Sequence, residues 1–347
     1  MESILVLAHT ETDGTLGRPA LEALGAAKNL SVALGGADLR VGLVGGNVQP
    51  AAHGIATCGA KRIFAAAGPD FSQPRYATDA AATEAICRVA AASIVLASGT
   101  SRWSRVLSGV AQRLGGRADT HVTNILTDCG RVSVNRWFYR QRMEAVLQRD
   151  PRPWFILVDP GSQPAWRGDA GSATVEAVAV DLPASCQRTT ILGVREPAGA
   201  AQTIRPDAEL LFVTGAGWTK KQADGQTHAA EAEELIRDFL RLSRASLGSS
   251  KSLVDLSGEG QAVLSFLSHL NQIGQTGATP RHPKGLATCC HGEEPHTVGW
   301  RFITERRAIS LDPNCGWARG KADVLYVADA FAVMAKVNEL LASAGNA

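Results

Sequence analysis

Short apolar runs alternate with helical stretches from the first residues onward, and this alternation restricts the chain to a few architectures. Ile4–Ala8, Leu39–Val44, Arg62–Ala65 and Ser93–Ser98 read as strands, separated by helical stretches at Pro19–Leu34, Ala51–Cys58, Tyr76–Ala92 and Arg105–Leu114. Pro19 stands where a first helical turn tolerates proline. Strand and helix with short connections are the signature of a parallel α/β sheet. From Asp119 to about Arg205 the period moves towards two, at Val132–Val134, Trp154–Val158 and Thr174–Val180. Turns at Asp150–Pro153 and Asp159–Gly161 separate these runs, which predicts antiparallel strands extending or flanking the first sheet.

A shift to Pro, Gly and Ala at Glu196–Arg205 marks a domain boundary. Beyond it the alternation resumes with a strand at Leu210–Thr214 and a helix at Ala229–Leu242, acidic at its start and arginine-bearing towards its end, as the helix dipole favours. Strands at Ala308–Leu311 and Val324–Val327 and an amphipathic helix at Ala330–Leu341 complete the pattern. The fold class expected is α/β with two Rossmann-like domains, over residues 1–200 and 206–347, the first extended by antiparallel strands and the second built on a parallel sheet.

Composition narrows the function classes. A length of 347 residues suits two domains at about 150 each, and a 45% apolar fraction suffices for two cores. Net charge is +2 and no basic stripe carries interleaved aromatics, so nucleic acid is not an expected partner. No run of eighteen apolar residues predicts a membrane span. Met1–Ala8 lacks a basic leader and reads as a strand. The seven cysteines form no C-x-x-C pair, so no metal site is expected and a reduced, cytoplasmic protein is. Trp103, Trp137, Trp154 and Trp166 read as core or interface packing, and Arg136, Arg140 and Arg142 as a solvated face.

No G-x-G-x-x-G follows the first strand, so the N-terminal half carries no dinucleotide fingerprint. The ligand-bearing signals lie later, in Gln272-Ile273-Gly274-Gln275-Thr276-Gly277 and the segment running to His296. Its glycines permit a sharp turn and close backbone approach. Gln275 and Thr276 are short neutral donors and acceptors, suited to the polar edge of a heterocycle or to a phosphate. Taken alone, the hexapeptide is most often a plain turn.

The order of motifs resembles the α subunit of electron transfer flavoproteins. That family carries Gly-Gly-Arg-Gly, Gly-Ala-Ser-Arg, Gln-Val-Gly-Gln-Thr-Gly, Ile-Ser-Gly-Ala-Ile-Gln-His, Asn-Lys-Asp-Pro and Val-Ala-Asp in succession. This chain reads Gly215-Ala216-Gly217-Trp218, Gly248-Ser249-Ser250-Lys251, Gln272–Gly277, Cys290–His296, Ser310-Leu311-Asp312-Pro313 and Val327-Ala328-Asp329. The spacing from Thr276 through His296 to Asp312-Pro313 is the family's. Gly217 stands where the family has arginine, His291 and Pro295 where it has serine and glutamine, and Ala335 where it has a late aspartate. Glu293 and Glu294 add negative charge.

The resemblance implies FAD in the C-terminal domain and a heterodimer with an electron transfer flavoprotein β subunit, to which the N-terminal domain binds. Electrons would come from substrate dehydrogenases and leave to a membrane quinone oxidoreductase, without insertion of this chain into the membrane. The implied FAD-binding residues are Ser250, Lys251, Gln272, Gly274, Gln275, Thr276, Gly277, His291, Gly292, His296 and Ser310. Thr276 and Gln275 fall at the flavin's polar edge, and His296 at the pyrimidine end, where a donor offsets negative charge on the ring. Lys251 replaces an arginine near the isoalloxazine, keeping charge but losing the planar fork. The alternatives are an FAD-less scaffold or nucleotide-binding subunit, and a stand-alone flavoenzyme using Cys289 or Cys290.

Overall fold

The computed structural model describes residues 2–139, 143–193, 204–205, 208–255, 264–274, 280–288, 303–315, 318 and 321–344. The chain divides into two compact units, Met1–Val194 and Arg195–Ala347.

The first unit runs β1 (Ser3–His9), α1 (Arg18–Ala33), β2 (Asp38–Gly45), α2 (Gln49–Gly54), β3 (Arg62–Ala67), α3 (Tyr76–Ala90), β4 (Ile94–Ser98) and α4 (Ser101–Arg113). It continues through β5 (Arg117–Asp128), β6 (Arg131–Phe138), β7 (Met143–Leu147), β8 (Trp154–Val158) and the short β9 (Glu176–Ala177). These make one nine-stranded sheet in the order β7-β6-β5-β8-β4-β1-β2-β3-β9. Alternation along β1 explains why both faces need helices. Ile4, Val6 and Ala8 point into a core shared with Leu24, Ala27 and Ile55 of the α1–α2 side. Leu5 and Leu7 enter a second core with Ile86, Trp103 and Val110 of α3 and α4. Trp103 and Trp154 are fully buried, as core side chains.

Two expectations need correction here. Trp154–Val158 is not antiparallel: it pairs parallel with both β4 and β5, from Ile94↔Trp154 on one side and Arg117↔Trp154 on the other. Five consecutive buried residues mark a strand covered on both faces, which has no polar alternation to display. Of Thr174–Val180 only Glu176–Ala177 pairs, parallel to β3 at the sheet edge. The antiparallel extension is confined to β5, β6 and β7, with Val134 opposite Ile125 and Leu147.

Arg136 departs from the solvated face expected of it. Its side chain is 19% exposed and lies 3.4 Å from Asp119. Arg140 and Arg142 lie outside the described residues.

The second unit holds β10 (Leu210–Thr214), α5 (Ala229–Ser243), β11 (Ser246–Ser249), α6 (Lys251–Asp255), β12 (Lys284–Thr288), β13 (Glu305–Ser310), β14 (Val324–Val327) and α7 (Ala330–Ala344). Its strands form a five-stranded parallel sheet in the order β11-β10-β12-β13-β14. Phe212, Leu247 and Ile309 pack with Ile236, Phe239 and Met334 of α5 and α7. Leu211, Val213, Ala287 and Ala308 pack on the other face with Ile273 and Cys315. Ser246–Ser249 is a strand with no apolar run of its own, so the Gly248-Ser249-Ser250-Lys251 motif is strand end, junction and helix start.

Candidate functional site

Both neighbours of β10 run parallel to it, yet the chain leaves β10 towards β11 and returns across it to β12. Connections therefore diverge between β10 and β12, and in open α/β sheets the crevice at such a point, outside the carboxyl ends of the strands, receives ligands. The residues at those ends are small and polar. Thr214, Ser249, Thr288 and Ser310 are each fully buried, and Ser250 is 1% exposed.

Most of these hydroxyls brace the sheet end. Thr288 Oγ1 donates to Val213 O at 2.9 Å and lies 2.8 Å from the indole Nε1 of Trp218, which donates to it. Trp218 is fully buried and packs at a tilt against Phe331 of α7, 4.7 Å between centroids. The turn after β10 is thus packed shut by its own tryptophan. Ser250 N–H donates to Thr214 O at 2.9 Å, and Ser250 Oγ accepts from Leu253 N–H at 3.3 Å. Ser310 Oγ accepts from Asp312 N–H at 3.2 Å. A serine hydroxyl that accepts one bond still has a proton to give.

Gln272 and Gly274 are brought to the same end of β11. Ser249 bridges Gln272 in parallel, and Ile273 N–H donates to Ser249 O at 3.0 Å. Gly248 allows this approach, since a Cβ there would stand 3.0 Å from Ile273 Cγ2. Gly274 takes φ +114°, which disfavours any side chain. The turn before it is fixed by Ser268 and Asn271, whose side chains cap each other's backbone, and by Asn271 Nδ2 donating to Leu247 O at 3.4 Å.

Ser250, Lys251, Gln272 and Gly274 therefore cluster at β11, while Ser310 occupies the same sheet edge beyond β10 and β12. Gln275, Thr276, Gly277, His291, Gly292 and His296 lie outside the described residues, as do Cys289 and Cys290. Lys251, expected near the isoalloxazine, is engaged within the chain: its Nζ pairs with Asp255 Oδ2, and Asp255 Oδ1 lies 3.0 Å from His269 Nε2. The Lys251 ammonium first, then the His269 ring, hold the Asp255 carboxyl below its ordinary range. Asp255 is the residue sequence reading missed, and Trp218, quoted there within the first loop motif, was given no role of its own. The i, i+4 spacing of Lys251 and Asp255 on a helix was the available signal for the first.

Small hydroxyls, an amide and one paired cation thus gather at the ends of the parallel strands. A separate cleft of about 690 Å³ lies between the sheet and helices α5 and α7, bordered by Leu286, Ile309, Val333 and Val337. Its lining is mainly apolar and it is not where the polar groups converge. Among the described residues no group of three or more His, Cys, Asp or Glu is placed to hold a metal. No helix there is long and apolar enough to cross a membrane.

The family model described as "Electron transfer flavoprotein domain" matches residues 4–183, just over half of the chain and nearly all of its first unit. No curated protein matches the chain. The match does not reach the second unit, where the candidate site lies, and it does not separate α from β subunits. By its extent, the chain belongs to the electron transfer flavoprotein family.

Proposed function

We propose that the chain is the FAD-containing α subunit of a heterodimeric electron transfer flavoprotein, pairing with a β subunit in the cytoplasm. In this reading it takes electrons from substrate dehydrogenases and passes them to a membrane quinone oxidoreductase, as a carrier with no substrate of its own. The observation that carries it is the clustering of Ser250, Lys251, Gln272 and Gly274 at the end of β11, in the unit where the family resemblance puts the cofactor. Five described cysteines, at 58, 87, 129, 186 and 315, are free thiols, which suits a reducing compartment.

FAD supplies the electron-accepting and electron-donating ring when bound. The chain's own residues bind and tune it. Ser250 Oγ–H and the Lys251 ammonium meet negative charge, Gly274 lets backbone approach, and Gln275 and Thr276 address the ring's polar edge. His291, Gly292 and Ser310 would contribute further polar contacts, and His296 would offset negative charge at the pyrimidine end.

One observation favours a second reading, an FAD-less scaffold: the turn after β10 is filled by Trp218 rather than open. Substitution separates the two. In the pair purified with its β-like partner, Thr276→Ala and His296→Ala should each lower the FAD retained through gel filtration several-fold while the heterodimer elutes unchanged. Retention equal to wild type in both variants contradicts the assignment.

A further inference from the structure

Asp255 joins the two pieces of chain that make the β11 end of the site. Along α6 it stands one turn from Lys251 and takes the ammonium on Oδ2. Across a separate stretch of chain its Oδ1 meets His269 Nε2 at 3.0 Å. His269 opens the short turn His269–Asn271 that leads into Gln272, Ile273 and Gly274. That segment is tied to β11 by the Ile273 N–H bond to Ser249 O and by Asn271 Nδ2 to Leu247 O. One carboxylate thus connects the helix carrying the site's cation with the segment carrying its glutamine and its left-handed glycine.

We propose that Asp255 is the positioning residue of the candidate cofactor site, holding the Lys251 ammonium in place and docking the 269–274 segment onto α6. The inference rests on the FAD reading for its effect on the cofactor, though not for its effect on the fold of the site. Lysine has a flexible four-carbon stem, so without a partner its charge samples many positions. The carboxylate removes that freedom and offsets the charge, so a ring placed nearby meets an ammonium–carboxylate pair rather than a bare cation. The side chains of Lys251, Asp255 and His269 are 43%, 33% and 65% exposed. Pairs this exposed add little to global stability, so their consequence is local placement.

The test has one arm without cofactor and one with it. In the FAD-free chain, amide hydrogen exchange at Ile273 should run about threefold faster in Asp255→Asn and His269→Gln, and at the wild-type rate in Asp255→Glu, which keeps the carboxylate. In the FAD-loaded heterodimer, the flavin reduction potential should rise in Asp255→Asn, where Lys251 loses its counter-charge, and stay near wild type in Asp255→Glu. An unchanged Ile273 exchange rate in Asp255→Asn overturns the docking role whether or not FAD binds. A loaded Asp255→Asn with wild-type potential overturns the charge-placing role. A wild-type heterodimer that takes no FAD, with exchange accelerated as expected, sinks the cofactor reading and supports the docking role.

Discussion

Asp119 is 1% exposed, and three residues donate to its carboxylate. Arg149 reaches it from Nε and Nη2, both at 2.9 Å, Trp154 from Nε1 at 2.9 Å, and Arg136 from Nη1 at 3.4 Å. The cluster sits beside the irregularity in β5, whose pairing with β8 shifts between Asp119 and Val122. Burial by itself would raise this carboxyl. Donation from Arg149 and Trp154, with the charges of Arg149 and Arg136, outweighs it and holds the group below its ordinary 3.8. A depressed acid contributes stability above its unfolded value and loses it as pH falls through its folded one. This contribution is therefore complete at neutral pH and disappears below 3.8. Asp119→Ala should cost about 3 kcal/mol at pH 7 by urea unfolding, because it strands the buried Trp154 indole N–H and takes the counter-charge from the largely buried Arg136 guanidinium. The difference from wild type should shrink as pH drops below 3.8. A difference independent of pH contradicts the account.

Among elements, β8 shows most clearly what sequence reading could and could not see. Trp154-Phe155-Ile156-Leu157-Val158 was legible as a strand, but its neighbours were not, because an apolar run covered on both faces looks alike in any central position. Its place between β4 and β5 follows from long-range pairing that local pattern does not encode. β11 failed for the opposite reason: Ser246-Leu247-Gly248-Ser249 has no apolar run, and its strand character comes from pairing with β10. The alternating helices and strands of the first unit were readable because each helix has a buried face and the parallel strands β1 to β4 are largely apolar. At the candidate site, Ser250, Lys251, Gln272 and Gly274 could be named from motif order, whereas the Asp255–His269 contact joins positions fourteen apart and is invisible to spacing. The central placement of β8 is testable. Phe155→Ala should destabilise by about 3–5 kcal/mol, since it opens a cavity in a fully buried strand. Val146→Ala on edge strand β7, 64% exposed, should fall within about 0.5 kcal/mol of wild type. Equal effects in urea unfolding contradict the strand order.

At the scale of the whole molecule, the family match and the candidate site divide between the two units. Residues 4–183 carry the match, and the second unit has its own core and its own parallel sheet. Each unit has a core of its own, and under the proposed function partner binding would fall to the first and cofactor binding to the second. The stretch Glu196–Arg205, read from sequence as the domain boundary, lies outside the described residues except at 204–205. Whether the second unit holds FAD, as proposed, is decided by the absorption spectrum of the chain co-purified with its β-like partner, with the flavin identified after denaturation. The expected result is a flavin band from which close to one FAD per heterodimer is released. A folded, colourless heterodimer that takes up no added FAD contradicts it.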